Sequence, residues 1–433
     1  MTGSKTPVRR PAHTALLAEL RRGIAPWTGL SVALTILVTL WGKASQWQGS
    51  WGETQSQVHL AAALLGGPLV AAAACWQGGR EHRRHTAELL LSVPRGRLAQ
   101  VTTAAAPVVL WAAAGYLVAL AAAFAATAPY TAAGGPSVSI VAADLGFLLS
   151  IGLVGFVVGR LVRWRLIAPV SAVCAYVVLG FPGYLDTSAR FLSPAQELFL
   201  DGSAPVWWFT PVLVTWTGGI AVALLLGYAA RRRHLAVVPL ALAIAAGTLI
   251  AHTGEGLFRE DPAVARRVCT KAAPGTPQIC VRAVDAPVLP QASEALRGMF
   301  SRLEGVPGAP VRYVDSGTDP KDGEAALAHV MRGWGITRNR LTDPHLYVYD
   351  TALGLVNHDC SAGPGEKGRK QDERMARTTD AVISWLSGED SLWYPDSRSL
   401  ARLKAMPEAE RKVWLGRFLA VPAHCTPAEV PVL

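Results

Sequence analysis

Charge is what this chain lacks. Only 17% of its 433 residues are charged and 51% are hydrophobic, whereas ordinary soluble domains are about 25% charged. Mean hydropathy is +0.28. These values exclude a disordered chain and a wholly soluble enzyme. Cysteine is sparse too, with six residues and no CxxC pair, which excludes a disulfide-dense mini-protein, a zinc ribbon and a thioredoxin-like redox site. No GxxxxGK[ST] occurs, so the chain carries no phosphate-cradling loop of its own. Gly363-Pro364-Gly365-Glu366-Lys367-Gly368 satisfies GxGxxG, but it follows no clear strand and its proline fits a phosphate turn poorly, so it is expected to be a surface loop.

Acidic residues are missing from one half only. Residues 1–253 hold 18 Lys+Arg and 8 Asp+Glu, and residues 254–433 hold 23 of each. The whole net charge of +10 therefore sits in the apolar half, between its hydrophobic runs. That is the distribution of a membrane protein obeying the positive-inside rule, and not of a nucleic-acid-binding face.

Seven runs approach the roughly 20 apolar residues that a bilayer span needs: 27–41, 58–76, 101–127, 138–162, 166–184, 207–230 and 235–253. The first is short and the last is alanine-rich, which leaves six or seven spans. With the N-terminus in the cytoplasm, sixteen basic residues fall in inside loops and only Lys43 and Arg190 in outside ones. An odd number of spans then places the C-terminal segment outside the cytoplasm. Trp27, Trp41, Trp76, Trp207 and Trp208 lie at span ends, as anchors in an aromatic belt do. The first apolar run begins late and has no small-residue cleavage site, so a cleavable signal peptide is not expected. His13–Ile24 has Leu16, Leu20 and Ile24 spaced by four, the pattern of an amphipathic helix in the inner interface.

The expected fold is an α-helical polytopic membrane protein with a mixed α/β extracytoplasmic domain. It divides into a cytoplasmic N-terminus (1–26), a transmembrane domain (27–253) with a cytoplasmic loop at 80–98, and the outer domain (254–433). Gly152, Gly155 and Gly159 form a small-residue ridge for helix packing, either within the chain or across a dimer. Asp144 is the one clear carboxylate inside a span. It lies about 9 Å from the outer end at the helical rise, so it is expected to snorkel to water. The spans show no ladder of buried acids, which argues against ion-coupled transport. Glu81, His82 and His85 do not form a zinc site, because Arg83 and Arg84 stand between the histidines.

The segment Arg80–Arg97 reads REHRRHTAELLLSVPRGR. A polar turn, an apolar stripe and a proline stop describe a short helix whose leucines need a cover. Glu81, Thr86, Glu88, Leu90, Leu91, Pro94 and Arg97, placed between the second and third spans, resemble the coupling helix of ABC-2-type transporter permeases. The resemblance covers about residues 10–232. It implies a six-span core, a separate ATP-binding cassette ATPase subunit docked on this loop, and a homodimer or heterodimer of permeases. It also implies ATP and Mg bound by the partner and no cofactor in this chain, export across the cytoplasmic membrane of a bacterium, and no enzymatic role for the chain itself. The seventh span and the outer domain depart from that core. The rival reading is a membrane-anchored extracytoplasmic binding or sensor protein without transport activity.

In the outer segment, Cys269 and Cys280 are equidistant from the Pro274-Gly275 turn. A hairpin there would set the two sulfurs opposite each other, leaving Cys360 to pair with Cys425. Cys75 and Cys174 fall in spans and are expected to be packing residues. Val311–Val314 and His345–Tyr349 are expected as strands; Leu289–Leu303, Ala325–Met331, Met375–Leu386 and Glu408–Ala420 as helices. No GxSxG, HExxH or Cys-His signature occurs, and His329, His345, His358 and His424 are scattered. The residues define no catalytic or metal site.

Overall fold

A computed structural model describes residues 20–21, 23–84, 96–317, 319–356, 359–360, 366–390, 398–422, 424–426 and 428–433. Its contacts divide the chain into two units, Met1–Asp261 and Pro262–Leu433.

Among the described residues, the first unit holds seven helices long and apolar enough to cross a membrane. Their α-helical parts are α1 (Ala25–Gly42), α2 (Trp51–Gly78), α3 (Arg97–Thr127), α4 (Val138–Leu161), α5 (Ile167–Gly180), α6 (Phe209–Ala229) and α7 (Val237–Thr253), and short 3-10 turns extend the spans of α5 to Ile167–Tyr184 and of α7 to Arg233–Leu257. All seven expected runs form helices, and the chain is a multi-pass protein by their length and composition. Helix α2 differs from expectation. It begins at Trp51 rather than Val58, because Ser50 caps it by accepting from the Glu53 backbone N–H. Within α2, Ala61–Gly66 winds as a π-helix, which is rare and favours functional positions. A short strand pair, β1 (Ser203–Pro205) with β2 (Phe258–Glu260), ties the connection before α6 to the segment after α7.

Close backbone crossings between helices hold this bundle, two of them the tightest. On α1 and α3, a Cβ placed on Gly115 would stand 2.1 Å from the Gly29 carbonyl oxygen. On α2 and α4, Cβ atoms on Gly155 and Gly159 would stand 2.4 and 2.0 Å from the carbonyl oxygens of Ala71 and Cys75. The α4 glycine ridge is thus used inside the chain. Cys75 is buried, but Cys174 is exposed on α5. It was expected to pack, and it does not because α5 is the helix least covered by its neighbours, buried over only 11% of its apolar window.

The second unit is a small α/β domain. Antiparallel β3 (Arg267–Cys269) and β4 (Gln278–Arg282) form the expected hairpin, and Cys269 lies opposite Cys280. Parallel β5 (Arg312–Val314) and β6 (Glu324–Ala326) complete a sheet in the order β3-β4-β5-β6. Helix α8 (Leu289–Leu303) crosses between β4 and β5, packing Leu296, Met299 and Leu303 against Ile279 and Tyr313. A hairpin of β7 (Ile336–Thr337) and β8 (Arg340–Leu341) precedes helices α9 (Pro344–Val356), α10 (Glu366–Ser387), α11 (Arg398–Ala405) and α12 (Glu408–Leu419). Two expectations fail. His345–Tyr349 is helical because Pro344 opens α9 and the Asp343 carboxylate accepts from the Leu346 backbone N–H. Ala325–Met331 is not a helix, because Glu324–Ala326 is drawn into the sheet edge by β5.

Both disulfides, Cys269–Cys280 and Cys360–Cys425, are formed. The first closes a loop of 11 residues and the second one of 65, fastening β10 (His424–Cys425) to β9 (Asp359–Cys360). Loop-closure entropy assigns them about 3 and about 4 kcal/mol respectively. Cys360→Ser/Cys425→Ser is therefore expected to lower the urea midpoint of this unit more than Cys269→Ser/Cys280→Ser. Equal midpoints for the two variants would contradict that order.

Candidate functional sites in the membrane unit

Two groups of polar side chains in the first unit lack the look of surface residues. One closes the base of the loop between α2 and α3. A short turn of helix, Arg80–Arg83, follows α2. The Glu81 carboxylate accepts from both terminal nitrogens of Arg160, at the end of α4. Both side chains are largely covered, 21% and 11% exposed. A bidentate, partly desolvated pair of this kind is stronger than a surface ion pair. His82 Nε2 lies 3.1 Å from the Arg160 carbonyl oxygen, and the Arg160 guanidinium sits 5.3 Å above the Phe156 ring. Arg83 donates to the Trp76 carbonyl and stacks 3.9 Å over its indole. The loop therefore leaves the bundle from a fixed footing on α2 and α4.

Of the residues that resemble a coupling helix, Glu81 belongs to this footing and Arg97 is the exposed first residue of α3. Thr86, Glu88, Leu90, Leu91 and Pro94 lie outside the described residues, as do most of the amphipathic segment 13–24, His358, and Gly363 to Gly365. Gly155 and Gly159 pack against α2 directly above the same footing, and Gly152 meets Val109 of α3. Sequence reasoning placed Glu81 in the loop but could not supply Arg160 as its partner.

The second group sits at the opposite end of the bundle. The first turns of α2 are polar yet buried: Thr54, Gln55, Ser56 and His59 are all at most 3% exposed. Their bonds form a column. The Thr54 hydroxyl lies 2.7 Å from that of Thr127 and donates to the Ser50 carbonyl. Gln55 donates to the Ser137 carbonyl at 2.7 Å and accepts from the Ser137 N–H at 2.9 Å. Ser56 donates to the Leu198 carbonyl. At the bottom, His59 Nδ1 lies 2.5 Å from Asp144 Oδ1, and the Tyr116 hydroxyl donates to Asp144 Oδ2 at 2.6 Å.

Asp144 therefore does not snorkel. It is 2% exposed, held between α2 and α3. It turns inward because a carboxyl group at that depth gains two polar partners from neighbouring helices, whereas lipid offers none. His59 and Tyr116 were missed in the sequence. The available signal was Gln55 and His59, four apart and so on one helix face, with His59 inside the apolar run that begins at Val58.

A charged cluster of the second unit lies at the carboxyl ends of β4 and β5, where parallel sheets often bind ligands. Arg332 donates to Asp285 at 2.6 Å, while Arg282 reaches both Asp285 and Asp315. Two arginines and two aspartates neutralise one another, which is the arrangement of a structural staple. Burial, and then the nearby Asp315 and Asp285 carboxylates, hold the Tyr347 hydroxyl above the ordinary tyrosine range. His329 bonds Ser316 and His345 bonds Glu389, so these histidines do not converge. Among the described residues, no group of three or more His, Cys, Asp or Glu is placed to hold a metal ion. Comparison with family models, curated proteins and solved structures finds no match.

Proposed function

We propose that this chain is the membrane-spanning permease subunit of an ABC-2-type exporter, driven by a separate ATPase subunit that docks on residues 80–97. The observation that carries the reading is the Glu81–Arg160 pair at the base of that loop. A coupling element must pass force into the bundle rather than flex on it. A loop footed on α2 and α4, helices in backbone contact through Gly155 and Gly159, moves both as one lever. The apolar side chains exposed along α5, including Val173, Val177 and Val178, are available to lipid or to a second permease. Residues 262–433 would receive or screen the exported molecule on the far side of the membrane.

The test is affinity purification of the full chain from its own host in mild detergent, beside the Leu90→Asp/Leu91→Asp variant. An ATP-binding subunit should accompany the native chain and fall at least about tenfold with the variant, the loss expected for ~1.4 kcal/mol of docking energy. Glu88→Lys should act in the same direction. If an intact native chain brings down no ATPase, the permease reading fails. The separately cored, disulfide-bonded second unit would then favour an anchored binding or sensor protein.

A further inference from the structure

The polar column in α2 ends on a cluster whose chemistry the transport reading does not use. His59, Asp144 and Tyr116 are 3%, 2% and 0% exposed. Both carboxylate oxygens of Asp144 are engaged, one by the imidazole and one by the phenol. Past the cluster the lining is apolar: Val58, Ala62, Ala112, Ala119, Phe147 and Leu148 pack around it. The column is polar towards one end of the bundle only, the end that carries Thr127 and Ser137.

Outside the helices, Asp201 in the connection before α6 accepts from Ser50 at the top of the column, and Glu197 adjoins Leu198, whose carbonyl accepts from Ser56. Helix α1 carries no titratable side chain and α6 only Tyr228, at its far end. Besides His59, α2 has Glu53, about 9 Å up the helix, and Cys75 at the other end. Helix α3 adds Arg97 and α4 adds Arg160, each at the end nearest the arginine-rich loops, and α5 has Cys174 and Tyr176. His59 is thus the one basic side chain among these helices at the depth of Asp144.

Count the charge on the pair. With one shared proton, His59 and Asp144 together are neutral. Losing it leaves a lone carboxylate in an apolar bundle, and gaining another leaves a lone imidazolium. The neutral form of the pair is the one that an apolar bundle tolerates best, and it can change only when water reaches the site. The irregular part of α2 lies within one turn of His59. The π-helical segment Ala61–Gly66 bonds i to i+5, and its return to α-helix would turn the preceding residues by about 100°, swinging His59 off Asp144.

We propose that His59, Asp144 and Tyr116 form a proton-binding site that exchanges one proton with water at the Thr127–Ser137 end of the bundle, so that proton exchange accompanies a conformational step of α2. In the exchange the proton leaves the His59–Asp144 pair for a water molecule entering along Thr54 and Gln55, and Tyr116 keeps its own. The inference does not depend on an ATPase partner.

The test uses the purified full chain in lipid nanodiscs and the proton as probe. Infrared difference spectra across a pH titration, in H2O and D2O, should show the Asp144 carboxyl band and the His59 ring modes changing in a single coupled step. That step should vanish in Asp144→Asn. If that variant fails to fold, Tyr116→Phe provides the second check. Removing one donor from the carboxylate should displace the same step by about one pH unit, a tenfold change in proton affinity. In sealed vesicles, the step should follow the pH on the side where an impermeant thiol reagent labels Ala132→Cys. Three results would overturn the proposal: bands that stay fixed wherever the chain is folded, two groups titrating independently, or a step that follows the pH on the other side.

Discussion

The Gly159→Val variant is expected to lose the native pairing of α2 and α4. A single Cβ at Gly159 would stand 2.0 Å from the Cys75 carbonyl oxygen and 2.7 Å from its carbonyl carbon. Those atoms belong to the backbone of a helix and have no rotamer through which to yield. Valine adds two further carbons, so the helices must separate along their contact. Overpacking of this kind costs about 3 kcal/mol or more. The same geometry ranks three further positions. Gly155→Val should follow closely, since its Cβ would meet the Ala71 carbonyl oxygen at 2.4 Å. Gly152→Ala should be milder, because it meets the Val109 side chain at 2.8 Å, and that chain can move. Gly183→Ala has nothing within 4 Å and should be neutral within about 0.5 kcal/mol. Thermal unfolding of the detergent-solubilised chain, followed by intrinsic fluorescence, reads all four. A Gly159→Val chain as stable as Gly183→Ala would mean that α2 and α4 are not in backbone contact.

The second large effect is expected at Glu81 and Arg160. Removing either charge strands the other where most of its surface is covered, at 21% and 11% exposure. Breaking a fully buried pair costs about 3–5 kcal/mol, and the remaining solvent contact here reduces the expectation to about 2 kcal/mol. Glu81→Gln and Arg160→Gln should each show that loss, and the double variant should lose little more, giving a coupling energy near 1–2 kcal/mol. The exchange Glu81→Arg/Arg160→Glu should recover part of it. Recovery is incomplete because the exchanged pair loses the guanidinium contact with Phe156. Strictly additive single losses would show that the two residues do not act as a pair. In the permease reading the single variants also keep the ATPase partner while weakening its coupling to transport, because the docking loop stays but its footing loosens.

These two expectations differ in how much of each was legible beforehand. The glycines were visible as a ridge, since small residues spaced by three and four must share a helix face. Which surface they met was open, because a helix face carries no label for its partner. The structure gives that surface to α2. Glu81 was visible as part of a loop motif, but Arg160 lies 79 residues away, and pairing over that distance is set by the packing of α2 against α4.

Hydropathy by itself located seven apolar helices, because a lipid-length run must satisfy its backbone internally and so must be helical. The hairpin of β3 and β4 and its disulfide were equally local, since a turn equidistant from two cysteines fixes their register. Errors came where a neighbour outweighed a local preference. Glu324–Ala326 became a strand because β5 offered an edge; α9 is the exception, since its proline and Asp343 cap are local signals that outweigh the strand-like residues after them. Asp144 is the clearest case. One carboxylate in an apolar run gave its depth, and depth alone favoured reaching for water. Only the tertiary structure brought His59 from α2 and Tyr116 from α3 to its two oxygens. Composition and periodicity decide which segments leave water; what a buried charge finds there depends on which helices pack together.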